Sequence, residues 1–168
     1  MYGKKTKKNN ALEGESMPDE MLEHAQREGI LVDYFMLPHT LLGAYYRTKG
    51  KPPVILLHTK LKRYTRLLRC VLAEELGHHH TTGMDLLSFA QTSRYVTMRY
   101  ERQALWWATK YLIPIDQLTE ICTQGIIEIF DLADHFFVTE RFVWTSLELY
   151  NEKMPGKMKA INILLQNR

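Results

Sequence analysis

The sequence predicts an α+β fold, a small and mostly antiparallel three-stranded sheet packed against a helical bundle. Three observations predict it. Between Gly29 and His58, apolar residues alternate with polar ones or form short β-branched runs bounded by Gly and Pro, which is the pattern of strands. From Leu61 onward they recur at helical spacing almost to the C-terminus. The strands come first and the helices follow, the order of an α+β domain rather than of alternating βαβ units. Hairpin-length connections between the three strand segments favour antiparallel pairing.

Taken in order, residues 1–15 are polar and carry Lys4, Lys5, Lys7 and Lys8; they read as a flexible leader, and residues 16–168 as a single domain. A first helix starts at Ser16, with Pro18 in the first turn and Asp19 three residues beyond the cap. Met21, Leu22 and Ala25 form its buried stripe, and Gly29 stops it. Ile30, Val32 and Tyr34 then alternate with Leu31, Asp33 and Phe35 until Pro38 closes the strand. Leu41 to Tyr46 is a second strand segment. Gly50, Pro52 and Pro53 mark a turn, and Val54 to His58 is the third strand. Leu61, Leu68, Leu72 and Leu76 share one helical face, while Lys62, Arg63, Arg66 and Arg69 line the other as its wet side. Gly83 ends that segment. A short helix is expected from Met84 to Ala90, and a long one from Val96 to Leu112, stopped by Pro114. Asp116 is expected to cap Gln117 to Cys122, and another helix covers Ile126 to Phe136. Thr139 caps the last helix, with Val138 and Val143 as a hydrophobic staple, and that helix ends near Lys153.

Composition narrows the function classes. Of the 168 residues, 45% are hydrophobic and 11% aromatic, which excludes a chain disordered throughout. No apolar run approaches the ~18 residues of a membrane-spanning helix. The Lys-rich start is not followed by an apolar segment, which argues against secretion. Cys70 and Cys122 make neither a disulfide framework nor a metal knuckle; they read as buried free thiols in a reducing cytoplasm. The net charge is +3, and four lysines lie in the leader, so the folded part is near neutral and unlike a nucleic-acid-binding surface.

The segment that carries chemistry is Leu72-Ala73-Glu74-Glu75-Leu76-Gly77-His78-His79-His80, late in an amphipathic helix. Residues four apart share a helix face, so Glu74 and His78 point the same way and can chelate one ion. Glu75, next door, can reach a water on that ion. This is the arrangement of the zincin motif His-Glu-x-x-His with Glu74 in place of the first His. A carboxylate oxygen binds Zn²⁺ at ~2.0–2.2 Å, much as an imidazole nitrogen does, but its extra negative charge acidifies the metal's water less. An oxygen-richer site also admits Mn²⁺ or Fe²⁺. His79 and His80 are given no role.

The surroundings of that helix are similar to the ImmA/IrrE family of zinc-dependent peptidases. The stretch Arg69 to His79 resembles the form in which Glu stands where the wider family has its first His. Upstream, Gly29-Ile30 and Leu42-Gly43-Ala44-Tyr45-Tyr46 fit the pattern. Downstream, Ala104-Leu105-Trp106-Trp107-Ala108 through Leu112-Ile113-Pro114 resembles the family's Ala-Asn-x-Phe-Ala-Ala…Leu-Met-Pro helix. Leu132-Ala133-Asp134-His135-Phe136 and Val138-Thr139-Glu140-Arg141-Phe142-Val143 resemble its closing helical pair. The resemblance covers about residues 17–153. It implies a central zincin-like metal helix and metal-assisted hydrolysis of a protein, often a helix-turn-helix repressor of a phage or mobile element. It implies Glu75 as general base, with His78 and Glu74 as metal ligands. The family's third ligand is a Glu; aligned back from Pro114, its position holds Gln103. Glu101, two residues earlier and on the face of Leu105 and Ala108, is the candidate that replaces it, with Asp85 as the alternative.

Two other readings compete. A member that binds a repressor without cutting it follows from the departures at Glu74 and Gln103. A DNA-binding regulator follows from the helix–turn–helix appearance of Asp131 to Tyr150. There the second helix would present Glu140, Arg141 and Thr145 among Phe142, Val143 and Trp144, too apolar and acidic a face for base readout.

Overall fold

The computed structural model describes residues 17–81 and 94–166. The leader, the expected Met84–Ala90 helix and Asp85 lie outside them. The chain runs α1 (Met17–Arg27), β1 (Leu31–Phe35), β2 (Gly43–Tyr46), β3 (Val54–His58), a 3-10 turn (Thr59–Arg63) and α2 (Thr65–Thr81). It continues with α3 (Arg94–Leu112), α4 (Ile115–Thr123), α5 (Ile129–His135), α6 (Glu140–Lys153) and α7 (Pro155–Gln166).

All three strands form where the alternation places them, but the sheet is mixed rather than mostly antiparallel. Its order is β1-β3-β2. β1 runs parallel to β3, with Leu31 opposite Val54 and Phe35 opposite His58. β2 runs antiparallel to β3, with Gly43 opposite Leu57 and Tyr46 opposite Val54. The reason lies in β3. Its run Val-Ile-Leu-Leu-His buries Ile55, Leu57 and His58, so it belongs in the centre, flanked by β1 and β2. β1 carries Asp33 and leaves Leu31 and Phe35 exposed, which suits an edge. The β2 segment thereby serves as the crossover between two parallel neighbours.

The helices follow the sequence with local changes. Leu61 is fully buried with Leu72 and Leu76, but it sits in the 3-10 turn and not in α2. His58 Nδ1 accepts from the Lys60 N–H at 3.1 Å and starts that turn; Tyr64 leaves helical geometry, and α2 begins afresh at Thr65. Pro114, not Asp116, occupies the N-cap of α4, and Asp116 instead meets the Lys157 ammonium at 3.2 Å. The helix expected from Ile126 begins at Ile129. Thr139 caps α6 as the sequence predicts, its Oγ1 accepting from the Phe142 N–H at 3.2 Å, with Val138 and Val143 both buried. α7 is an addition. Pro155-Gly156 reads as a stop, but proline is equally at home in the first turn of a new helix, and Met158 and Ile161 of that helix are fully buried.

The core centres on α2 and α3. Their backbones meet at Gly77, where a Cβ would run into the Ala104 carbonyl. That crossing fixes which turn of α3 faces the end of α2. Behind it, α6 is tied to α3 by the buried Thr109–Ser146 hydrogen bond of 3.2 Å and by the Tyr150 hydroxyl, which donates to the Ile113 carbonyl at 2.7 Å. Cys70 and Cys122 are free and buried, as expected. No helix among the described residues is long and apolar enough to cross a membrane.

Candidate metal centre

α2 is apolar nearly all round: Leu68, Cys70, Val71, Leu72, Ala73, Leu76 and Gly77 are buried. Even Arg69, expected on a wet face, has its Nε buried without a hydrogen-bond partner. Acidic side chains on such a helix therefore enter a largely desolvated place. Glu75 is 8% exposed and lies under β2, so close that a Cβ on Gly43 would come within 2.5 Å of its Oε1. Glycine at residue 43 is what lets the strand pass over the carboxylate.

Glu74, Glu75, His78 and Glu101 line one cleft of about 640 Å³. Its other walls are the segment from Thr40 to Arg47, which includes β2, and the first turn of α6, with Thr139, Arg141, Phe142 and Thr145. Since the α6 turn forms this wall, it sits inward against α2. Arg66, pairing with Asp134 at 2.6 Å, holds α5 to α2 in the same way.

The electrostatics are those of crowded, buried carboxylates. Burial pushes Glu74 up to about 7; His78 and Arg141 oppose the shift and Glu101 adds to it. Burial likewise pushes Glu75 up to about 7, with Glu74 and Glu101 adding and His78 and the Tyr45 N–H opposing. Burial disfavours charge on His78 too, but the hydrogen bond it donates to Glu101 and the three surrounding carboxylates outweigh it and raise its pKa. His78 Nε2 lies 3.2 Å from Glu101 Oε2.

The structure thus brings the four candidate side chains of α2 and α3 to a single cleft and pairs two of them directly. Glu101, from the turn of α3 before Ala104, is the acid that reaches His78. Gln103 lines an adjoining hollow, which Glu74 and Glu101 also border, with Arg102, Trp106 and Lys153. The three candidate ligands do not all converge: among the described residues, one His/Cys/Asp/Glu trio has its ligand atoms within 4.8 Å of one another, and it is His24, Glu28 and His80. Sequence reasoning missed that trio, although His24 and Glu28 carry the same spacing of four that singled out Glu74 and His78.

The donors fit a divalent cation on chemical grounds. Three carboxylates and an imidazole share the cleft, and Glu101 helps to raise the pKa values of Glu74 and Glu75, a cost that a bound cation removes. No curated protein and no solved structure matches the chain. The family model described as the IrrE N-terminal-like domain matches residues 17–147, from the start of α1 into α6, a span that takes in the sheet, the acidic helix and every wall of the cleft. The chain therefore belongs to the ImmA/IrrE metallopeptidase family.

Proposed function

We propose that this chain is a metal-dependent endopeptidase that cleaves a cytoplasmic helix-turn-helix repressor and so releases a phage or mobile element from repression. The observation that carries the reading is the buried Glu75 carboxylate, which faces the same cleft as Glu74, His78 and Glu101. Glu74, His78 and Glu101 would hold the ion, Zn²⁺ by the family's precedent, with Mn²⁺ or Fe²⁺ admitted by the oxygen-rich donors. The ion supplies Lewis-acid polarisation of the scissile carbonyl and acidifies water. Glu75 takes the proton of the attacking water and passes it to the leaving amine. β2 is an edge strand whose whole length lines the cleft, so its outer side offers main-chain groups to an extended segment of substrate.

The test is cleavage of the cognate repressor by the purified, metal-loaded chain. Fragments should appear with the wild type and vanish with Glu75→Gln, while the metal content of that variant stays unchanged. Equal cleavage by Glu75→Gln would remove the proposed base. A second reading has its own support: Glu74 stands in place of a His, and its carboxylate does not converge with the His78–Glu101 pair. It predicts a complex with the repressor and no fragments, even with Zn²⁺ or Mn²⁺ added.

A further inference from the structure

His24 and Glu28 lie four apart at the end of α1, and the Glu28 N–H bonds the His24 carbonyl at 3.2 Å, carrying the helical turn one residue past Arg27. They meet the last turn of α2. Glu28 Oε1 is 3.3 Å from His24 Nε2, and Glu28 Oε2 is 3.2 Å from His80 Nε2. We propose that His24, Glu28 and His80 form a second divalent-cation site, suited to Zn²⁺, that clamps the end of α1 to the end of α2.

Four features carry the assignment. Each imidazole nitrogen lies near the ligand–ligand edge of a tetrahedral zinc site from a Glu28 oxygen, about 3.4 Å for bonds of ~2.0–2.2 Å, and one ligand atom from each of the three residues lies within 4.8 Å of the others. His24 Nε2 is buried and has no hydrogen-bond partner, although a carboxylate oxygen is 3.3 Å away. The rings are also fixed from outside. His80 stacks on Trp107 at 4.5 Å, Trp107 stacks on Tyr111 at 4.9 Å, and Tyr111 stands edge-on to His24 at 5.8 Å. Finally, His79 waits as a further donor: its Nε2 is 3.6 Å from Glu28 Oε2, and its Nδ1 is 2.9 Å from the Tyr45 hydroxyl. That hydroxyl holds the His79 ring from outside the site, as outer partners of metal-bound imidazoles do. A set of imidazoles with one carboxylate favours Zn²⁺ over Ca²⁺ or Mg²⁺, which prefer all-oxygen sites. The four side chains are 19–30% exposed, so the ion can enter from solvent.

This site uses none of Glu74, His78 or Glu101, and it stands whether or not that centre takes metal. The test therefore runs in a His78→Ala chain, stripped with chelator and titrated with Zn²⁺ alone. One equivalent should bind, and adding His24→Ala and His80→Ala should weaken it by at least about a hundredfold, more than the loss of an outer-sphere partner alone. No zinc uptake by the His78→Ala chain, or unchanged affinity after the double substitution, overturns the proposal. If circular dichroism shows the double variant unfolded, Glu28→Gln replaces it, with the same loss expected and the same retention counting against the site.

Discussion

Glu75 is the one carboxylate buried among the described residues, and Glu74 beside it is half-buried. Both are pushed up to about 7 from an ordinary value of 4.5. This links the site to stability. Between those values the folded chain keeps protons that the unfolded chain gives up, so the stabilising contribution is full below 4.5 and is lost as pH rises through about 7. Chelator-treated protein should melt at a lower temperature at about pH 8 than at about pH 5, and a Glu74→Gln/Glu75→Gln variant should show a flatter dependence. Equal slopes in the two proteins would assign the effect elsewhere. Metal binding works in the opposite direction, since it needs the carboxylates deprotonated and tightens as pH rises. The cysteines illustrate a residue that burial silences: Cys70 is pushed up to about 11 and stays a neutral thiol at neutral pH.

At the scale of elements, the α2–α3 crossing decides whether the acid of one helix reaches the imidazole of the other. Gly77 sets how near the helices come, because any Cβ there meets the Ala104 backbone, which cannot swing aside as a side chain can. Gly77→Ala should therefore cost about 1–3 kcal/mol by overpacking. Pushing α3 outward also draws Glu101 away from His78, so zinc affinity should fall together with the denaturation midpoint. A variant that lost stability but bound zinc as before would show that Glu101 is not a ligand. The i,i+4 rule made Glu74 and His78 legible on α2 without a structure. It says nothing about which turn of α3 lies opposite; the face shared with Leu105 and Ala108 nominated Glu101, and packing brings its Oε2 to 3.2 Å from His78 Nε2.

At the scale of the whole molecule, α7 lies beyond the residues that match the family, yet it completes the core. Met158 and Ile161 are fully buried, as is Tyr150 at the end of α6. Ending the chain after Lys153 removes two fully buried side chains, each contributing about 1.5–3 kcal/mol. The truncated protein should unfold several kcal/mol more readily in urea; an unchanged midpoint would show α7 to be dispensable. The cleft, by contrast, is walled by β2, α2, α3 and the start of α6, and all of its lining residues lie within the matched span.

Local physics explains what was legible in the chain alone. Strand alternation, the Thr139 cap with its staple and the buried cysteines each depend on neighbours a few residues away, and each is where the sequence predicts it. Strand order, the arrival of Glu101 and the gathering of His24 and Glu28 around His80 depend on which distant surfaces pack together. The parallel β1–β3 pair places β3 between β1 and β2, an order that hairpin-length loops do not reveal. The sequence determined the elements and the chemistry that each one carries; tertiary packing decided which of those groups meet, because close approach at Gly43 and Gly77 is a property of two segments at once.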